Sequence, residues 1–162
     1  MGSCDYKRNY PTEIEGYAPI YMAEADQYNI SSSAAQAYEN PGKIYKYGNY
    51  TFQMDKGKGI HVINSSNPSQ PSKIKFINVP GCTDISIKGN MLYANNFRDL
   101  VTLNITDINN VVVSHRNKNV FPETLDGAPP ENGIYFECVD NTQGVIVGWE
   151  KKNLQNPKCY RP

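Results

Sequence analysis

Cysteine is the residue type in this sequence with the most distinctive chemistry, because a thiol can be acylated, oxidised or bound to a metal. The chain of 162 residues has four cysteines. Cys138 and Cys159 flank the last predicted strands, and a disulfide between them would tie down the C-terminal strand in an oxidising compartment. Two buried free thiols are the alternative. Cys82 would be left over, and the sequence has no Cys-x-x-Cys pair, so we expect no zinc site and no other metal.

The fourth cysteine, Cys4, follows Gly2-Ser3 and precedes a polar stretch. Small residues before a cysteine are similar to the end of a bacterial lipobox from which the signal sequence has been removed. This similarity implies that Cys4 carries a lipid and that residues 1–12 form a tether. An ordinary exposed cysteine behind a start codon or a tag remnant is the alternative. We find no apolar segment long enough for a signal peptide or a transmembrane span.

Neither the histidines nor the carboxylates form a catalytic pattern. His61 and His115 fall on predicted strands far apart in the chain, without the spacing of metal ligands. Two acids can hydrolyse a glycosidic bond only when the fold places them across a cleft. The acid pairs of this chain lie in predicted loops: Glu13 with Glu15, and Glu123 with Asp126. The sequence also has no nucleophile elbow and no phosphate-binding loop, so we expect no catalytic residue and no cofactor.

Part of the sequence occurs twice. Residues 47–71 (YGNYTFQMDKGKGIHVINSSNPSQP) return as residues 88–110 (KGNMLYANNFRDLVTLNITDINN). The matching positions are Gly48-Asn49 with Gly89-Asn90, Asn64 with Asn104, and Asn67 with Asp107. The spacing is 41 for the Gly-Asn pairs and 40 for the later positions, because one loop is a residue shorter in the second copy. A strand-rich period of about 40 to 45 residues is the length of one propeller blade.

Each copy has the pattern of four short strands joined by turns. Alternation of apolar and polar residues marks strands, and the Gly-Asn pairs mark hairpin turns, because glycine and asparagine accept positive φ. The predicted strands are Lys43–Tyr47, Tyr50–Met54, Ile60–Ile63 and Lys73–Ile77, then Asp84–Lys88, Met91–Ala94, Leu100–Ile105 and Val111–His115. The one-residue difference leaves open which face of each third strand points inward. We predict an all-β fold of antiparallel, four-stranded propeller-blade repeats.

Residues 100–107 (LVTLNITD) resemble the LVIVD repeat, and residues 60–68 are a looser copy that keeps the final Asn-Pro. With residues 15–22 leading into residues 40–44, nearly the whole chain resembles the LVIVD-repeat β-propeller lipoproteins of Bacteroidetes. The resemblance implies a secreted protein anchored by a lipid to the outer membrane or cell surface, and it implies no enzymatic activity. Both copies have asparagine at the motif's first aspartate, and Ile108 replaces the usual proline. This departure weakens any metal-binding role for the acidic positions.

A propeller needs about four to eight blades, so two copies and part of a third predict a piece of a larger propeller. A small two-sheet fold and closure by oligomerisation are the alternatives. The three serines before residues 34–39 predict a short capped helix there, and residues 134–139 and 145–149 predict the opening hairpin of the third blade. The predicted segments are residues 1–12 (tether), 13–42 (tyrosine-rich and mostly irregular, with the helix), 43–81 (first blade), 82–121 (second blade), 122–133 (linker loop) and 134–162 (partial third blade).

The sequence predicts a binding or scaffold module of the cell envelope, with a protein, a peptide or a glycan as its ligand. The chain has 16 basic and 16 acidic residues, a balance that argues against a nucleic-acid partner. Nine of the twelve tyrosines lie in the first 50 residues, where they could stack on sugars or, more commonly, pack on a sheet. A structural component of the envelope and a glycan-active enzyme with its catalytic residues in other blades are the alternatives. An open sheet edge would also permit self-association.

Overall fold

The structure is a computed structural model that describes residues 10–122 and 128–162. These residues form strands and two short 3-10 turns, and none of them forms an α-helix, so the predicted all-β class is confirmed. The part of the chain that is described has no helix long and apolar enough to cross a membrane. Residues 23–122 form one compact unit, the repeat unit, and residues 10–22 with residues 128–162 form another, the terminal unit.

The described residues form three sheets. Their strands are β1 (Glu13–Met22), β2 (Ser31–Ala34), β3 (Pro41–Tyr47), β4 (Tyr50–Asp55), β5 (Gly59–Asn64), β6 (Ser72–Asn78), β7 (Ile85–Lys88), β8 (Met91–Asn96), β9 (Asp99–Asn104), β10 (Val112–Asn117), β11 (Ile134–Phe136), β12 (Val145–Gln155) and β13 (Cys159–Arg161). In the repeat unit, sheet 1 has the order β2-β6-β5-β4-β3 and sheet 2 the order β10-β9-β8-β7. All neighbours in these two sheets are antiparallel, so both copies of the repeat form the predicted four-stranded meander.

The two-residue turns that the repeat predicts are present and equivalent in both sheets. Gly48-Asn49 joins β3 to β4, and Gly89-Asn90 joins β7 to β8. The φ angle is +56° at Gly48 and +57° at Gly89. A side chain at this φ would crowd the following carbonyl oxygen. Both turns therefore favour glycine, which is the physical reason that glycine occurs at the same place in both copies.

The one-residue difference between the copies lies in the turn between the second and third strands of each sheet. Three residues separate Asp55 from its strand partner Gly59, whereas two separate Asn96 from Asp99. Beyond this turn the sheets match again, because both have a β-bulge at the same place between the third and fourth strands. The sheets are therefore equivalent strand by strand.

The repeated asparagines and the aspartate shape the loop that follows the third strand. The side-chain oxygens of Asn64 and Asn104 accept hydrogen bonds from the backbone N–H two residues later, at 3.0 and 2.9 Å. Asn67 and Asp107 do the same, at 3.1 and 2.9 Å. Each is an Asx turn, which requires a side-chain oxygen but no charge. Loop geometry thus explains why these positions of the chain carry asparagine or aspartate in both copies.

The two sheets share one hydrophobic core but present opposite faces to it. Tyr47 and Tyr50, which flank the turn of sheet 1, pack against the core, whereas the equivalent Lys88 and Met91 of sheet 2 lie on the face that points away. Consecutive blades of a propeller stack front to back in this way, while two sheets related by a twofold axis would use the same face. The core contains Phe52, Met54, Ile60, Val62 and Ile77 of sheet 1, and Ile85, Ile87, Leu92, Ala94, Val101 and Leu103 of sheet 2.

The structure of the terminal unit contradicts the predicted hairpin of a third blade. Its sheet order is β12-β1-β11-β13, so β1 lies between the two strands that were expected to pair with each other. β1 pairs antiparallel with β12 over ten residues and parallel with β11. After β11, the backbone N–H of Asp140 donates to the hydroxyl of Tyr21 near the end of β1, at 2.7 Å. The predicted pairing of residues 134–139 with residues 145–149 is wrong, because β1 offers β12 a longer ladder than β11 does.

Two predictions for residues 13–42 are also wrong. Residues 13–22 are not irregular but form β1, in the interior of a sheet. Residues 34–39 form no helix. Residue 34 ends the strand β2, which pairs with β6. The backbone N–H groups of Glu39 and Asn40 donate to the Asp55 carboxylate at 3.0 and 2.7 Å instead of to a preceding turn. A tertiary partner therefore satisfies the groups that a helix would have used.

The cysteines of the described residues have separate roles. Cys138 and Cys159 form a disulfide, with their Cα atoms 5.2 Å apart, which ties β13 to the chain that follows β11. Cys82 is a free, buried thiol that contributes to the core of the repeat unit. Burial raises the pKa of Cys82 to about 12. This thiol therefore stays protonated at neutral pH, where only a thiolate would be reactive.

Equivalent turns should respond equally to mutation. No atom lies within 4 Å of a Cβ added at Gly48 or Gly89, so alanine there strains the backbone without a clash. We expect Gly48→Ala and Gly89→Ala each to lower the free energy of unfolding by about 1 to 2 kcal/mol, and the asparagine variants to lower it less. Urea unfolding measures both. A loss confined to one copy would contradict the equivalence of the two sheets.

Candidate functional site

The outer face of sheet 2 points away from the shared core. It is more polar than the equivalent face of sheet 1. Because the sheets stack front to back, this face corresponds in sequence to the inner face of sheet 1. Four positions can be compared along the second and third strands: Phe52, Met54, Ile60 and Val62 correspond to Tyr93, Asn95, Leu100 and Thr102. Three of these four apolar residues are replaced by residues with a polar group. Such a face suits water or a ligand better than a dry core.

A groove with a volume of about 350 Å³ runs over this outer face. The volume is at the small end of the range for ligand pockets, which is about 300 to 1,000 Å³. Strand residues form its floor, and the walls come from the chain before β7, the β8–β9 turn and the chain after β10. The main lining residues are Thr83, Asp84, Ser86, Tyr93, Asn95, Phe97, Leu100, Phe121 and Pro122. Three aromatic rings around a few polar groups are the usual composition of a small-ligand site.

Phe97 takes part in this groove in a strained conformation. The non-glycine residues of the described chain with positive φ are Phe97, Asn119 and Asn156. Asparagine is common in this region, but phenylalanine is not, and the left-handed conformation costs a residue with a Cβ about 1 to 2 kcal/mol. The ring packs over Gly81, where an added Cβ would lie 2.6 Å from a ring carbon. The fold thus accommodates strain to place this ring, as proteins often do at functional sites.

Hydrogen bonds hold the polar wall of the groove in place. The side-chain oxygen of Asn95 accepts the backbone N–H groups of Thr83 and Asp84 at 2.8 and 2.9 Å, and its amide donates to Gly81 at 3.0 Å. One carboxylate oxygen of Asp84 accepts from Lys43 at 2.8 Å and from the next backbone N–H. The bond from Lys43 holds the pKa of Asp84 below its ordinary value. The Asp84 carboxylate on this wall is therefore ionised at neutral pH and paired with the Lys43 ammonium.

Some polar groups of the groove remain available. Within the described residues, the second carboxylate oxygen of Asp84 and the hydroxyls of Ser86 and Tyr93 have no hydrogen-bond partner. Ser86 and Tyr93 are cross-strand neighbours on the floor, and Asp84 stands on the adjacent wall. The groove therefore combines apolar ring faces with one charged acceptor and two groups that can both donate and accept.

His61 has a structural position on the outer face of sheet 1. Its ring is fully buried between Tyr38 and Phe76, with ring centroids 4.3 and 4.8 Å away. Its Nε2 lies 3.0 Å from the buried carboxylate of Asp55, which also accepts the two backbone N–H groups of residues 39 and 40. Burial raises the pKa of Asp55, but the hydrogen bonds from His61 and from the backbone outweigh burial and hold this pKa below its ordinary value of 3.8. The pair anchors residues 35–40 to the sheet.

The other residues considered from the sequence form no common site. Cys4, Glu123 and Asp126 lie outside the described residues. His115 is exposed and lies 2.8 Å from the side-chain oxygen of Asn117. No group of three metal-ligating side chains occurs among the described residues.

Sequence reasoning missed the groove. The available signal is the turn Asn96-Phe97-Arg98-Asp99, where an aromatic residue occupies a hairpin position that glycine or asparagine usually takes. Comparison with known proteins adds nothing to this site, because no protein-family model, no curated protein and no solved structure matches the chain.

The buried carboxylate gives a prediction about pH. The folded pKa of Asp55 is lowered, so its contribution to stability is present above its ordinary pKa of 3.8 and is lost as the pH falls through the folded value. Asp55→Asn should lower the free energy of unfolding at pH 7 by about 2 kcal/mol, the scale of a hydrogen bond to a charged group. The difference from the unmodified protein should shrink between about pH 5 and pH 2. Chemical denaturation at each pH measures it, and a loss that does not change with pH would contradict the role of the charge.

Proposed function

We propose that this protein is a non-catalytic binding module of the cell envelope, built on LVIVD-type repeats and held at the membrane by a lipid on Cys4. The ligand site is the groove on the outer face of sheet 2. The observation that carries the proposal is Phe97, because this strained aromatic residue lines the groove and is not among the residues of the shared core. The front-to-back stacking of the two sheets supports the comparison with propeller blades.

Two features support a location outside the cytoplasm. Cys138 and Cys159 form a disulfide, which is typical of proteins in oxidising compartments. Cys4 follows two small residues and stands nine residues before the start of β1 at Glu13, so a short tether would separate a lipid from the terminal unit. A binding module in this position faces the ligands of the envelope or the medium.

The anchor can be tested by metabolic labelling with a fatty-acid analogue in the native host. We expect the unmodified protein to take up the label and Cys4→Ala to lose it. Cys82→Ala is the matched control, since Cys82 is buried and should not affect labelling. An unlabelled wild-type protein would end the proposal of a lipid anchor.

The groove can be tested with Phe97→Asn, which removes the ring and suits the left-handed backbone. Relief of strain and loss of ring packing oppose each other, so we expect the free energy of unfolding to change by less than about 1 kcal/mol. Binding should be lost. The measurement is a nuclear magnetic resonance titration of the ¹⁵N-labelled chain with a panel of short oligosaccharides and short peptides, following the backbone amides of Ser86, Tyr93 and Phe97.

The control for this experiment is Tyr160→Ala, which removes a half-exposed ring from the terminal unit. It should leave the titration unchanged. If no member of the panel moves the groove amides, or if Phe97→Asn binds as well as the unmodified protein, the groove is not the ligand site.

A further inference from the structure

The polar groups of the groove select among ligand classes. Asp84 offers a charged acceptor, and Ser86 and Tyr93 offer hydroxyls that both donate and accept. A ligand hydroxyl can donate to the carboxylate and accept from either protein hydroxyl. A ligand with several hydroxyl groups on one rigid ring would therefore satisfy all three groups at once, without leaving a buried polar atom unpaired.

The apolar groups point to the same class. Tyr93, Phe97 and Phe121 line the groove around Leu100. The face of an aromatic ring is electron-rich and attracts hydrogen atoms that carry a partial positive charge. The C–H faces of a sugar ring have this character, while the ring's hydroxyls point outward to the groove wall. A sugar thus presents one surface for the rings and another for the polar groups.

The charge of Asp84 disfavours acidic ligands. None of the described residues that line the groove is basic. The nearby Lys43 is already paired with Asp84, at 2.8 Å. An anion in the groove would meet the Asp84 carboxylate and find no unpaired cation among the lining residues, so its binding would be unfavourable.

An extended peptide is the less favourable alternative. The groove lies on the face of sheet 2, where the backbone N–H and C=O groups are engaged in the ladders between strands. A peptide that pairs by its backbone needs an open strand edge instead. A proline-rich peptide can use an aromatic groove without such pairing, and it therefore serves as the competing probe.

We infer that the groove binds a short, neutral oligosaccharide, with a sugar ring stacked on the aromatic side chains and its hydroxyls bonded to Asp84, Ser86 and Tyr93. This inference rests on the proposed function of the groove as a ligand site and specifies the ligand class.

The test is a titration of the full ¹⁵N-labelled chain with maltotriose, cellotriose, N,N′,N″-triacetylchitotriose, trigalacturonate and a proline-rich decapeptide. We expect at least one neutral trisaccharide to shift the amides of Ser86, Tyr93 and Phe97 in a saturable way, and trigalacturonate to cause no saturable shift. Asp84→Asn should weaken binding of the neutral sugar about tenfold, because it replaces a charged hydrogen-bond acceptor with a neutral amide. Tyr93→Phe, which removes one hydroxyl and keeps the ring, should weaken it less.

The control is Asp107→Asn, which alters a carboxylate in an Asx turn that is not among the lining residues and should leave the affinity unchanged. If the decapeptide shifts the groove amides and no neutral sugar does, the inference of a sugar ligand is overturned while the groove remains a ligand site. Tighter binding of trigalacturonate than of the neutral sugars also overturns it. If none of the five probes shifts these amides, both the inference and the proposed ligand site fail.

Discussion

The apolar contact between opposite faces of the two sheets is the constraint on which the repeat unit depends. It requires Phe52 and Met54 to point inward on one sheet, and Leu92 and Ala94, shifted by one residue relative to the turn, on the other. Burying such side chains contributes about 25 cal/mol per Å² of apolar area. For this reason the two copies of the repeat share their turns and loops, while their apolar positions alternate out of phase.

Because each sheet contributes only one face to that core, its outer face takes no part in it. The outer face of sheet 1 holds His61 and Asp55, which anchor a neighbouring segment. The outer face of sheet 2 holds the groove, whose polar wall is fixed by the side chain of Asn95. Strain at Phe97 can persist because the β8–β9 ladder on either side of its turn is continuous and its ends are buried.

The terminal unit is organised differently, since its sheet combines strands from the N-terminal and C-terminal parts of the chain. β1 and β12 lie more than 120 residues apart in sequence, yet they form the longest ladder described. The disulfide between Cys138 and Cys159 adds a covalent constraint to the shorter strands of this sheet. A lipid on Cys4, as proposed, would join the membrane to the strand that runs through this sheet.

The sequence by itself determined the features that depend on neighbouring residues. The hairpin turns at Gly48 and Gly89 follow from positive φ, the repeated loops follow from Asx turns, and strand alternation indicates the all-β class. Only the tertiary structure decided that β1 separates β11 from β12, which face of each sheet is buried, and that Phe97 and Phe121 meet at one groove. The physical reason is the sequence separation of the residues that interact. A turn is set by the conformation of a few adjacent residues, whereas strand order, burial and pocket walls depend on which distant segments bury the most apolar surface against each other.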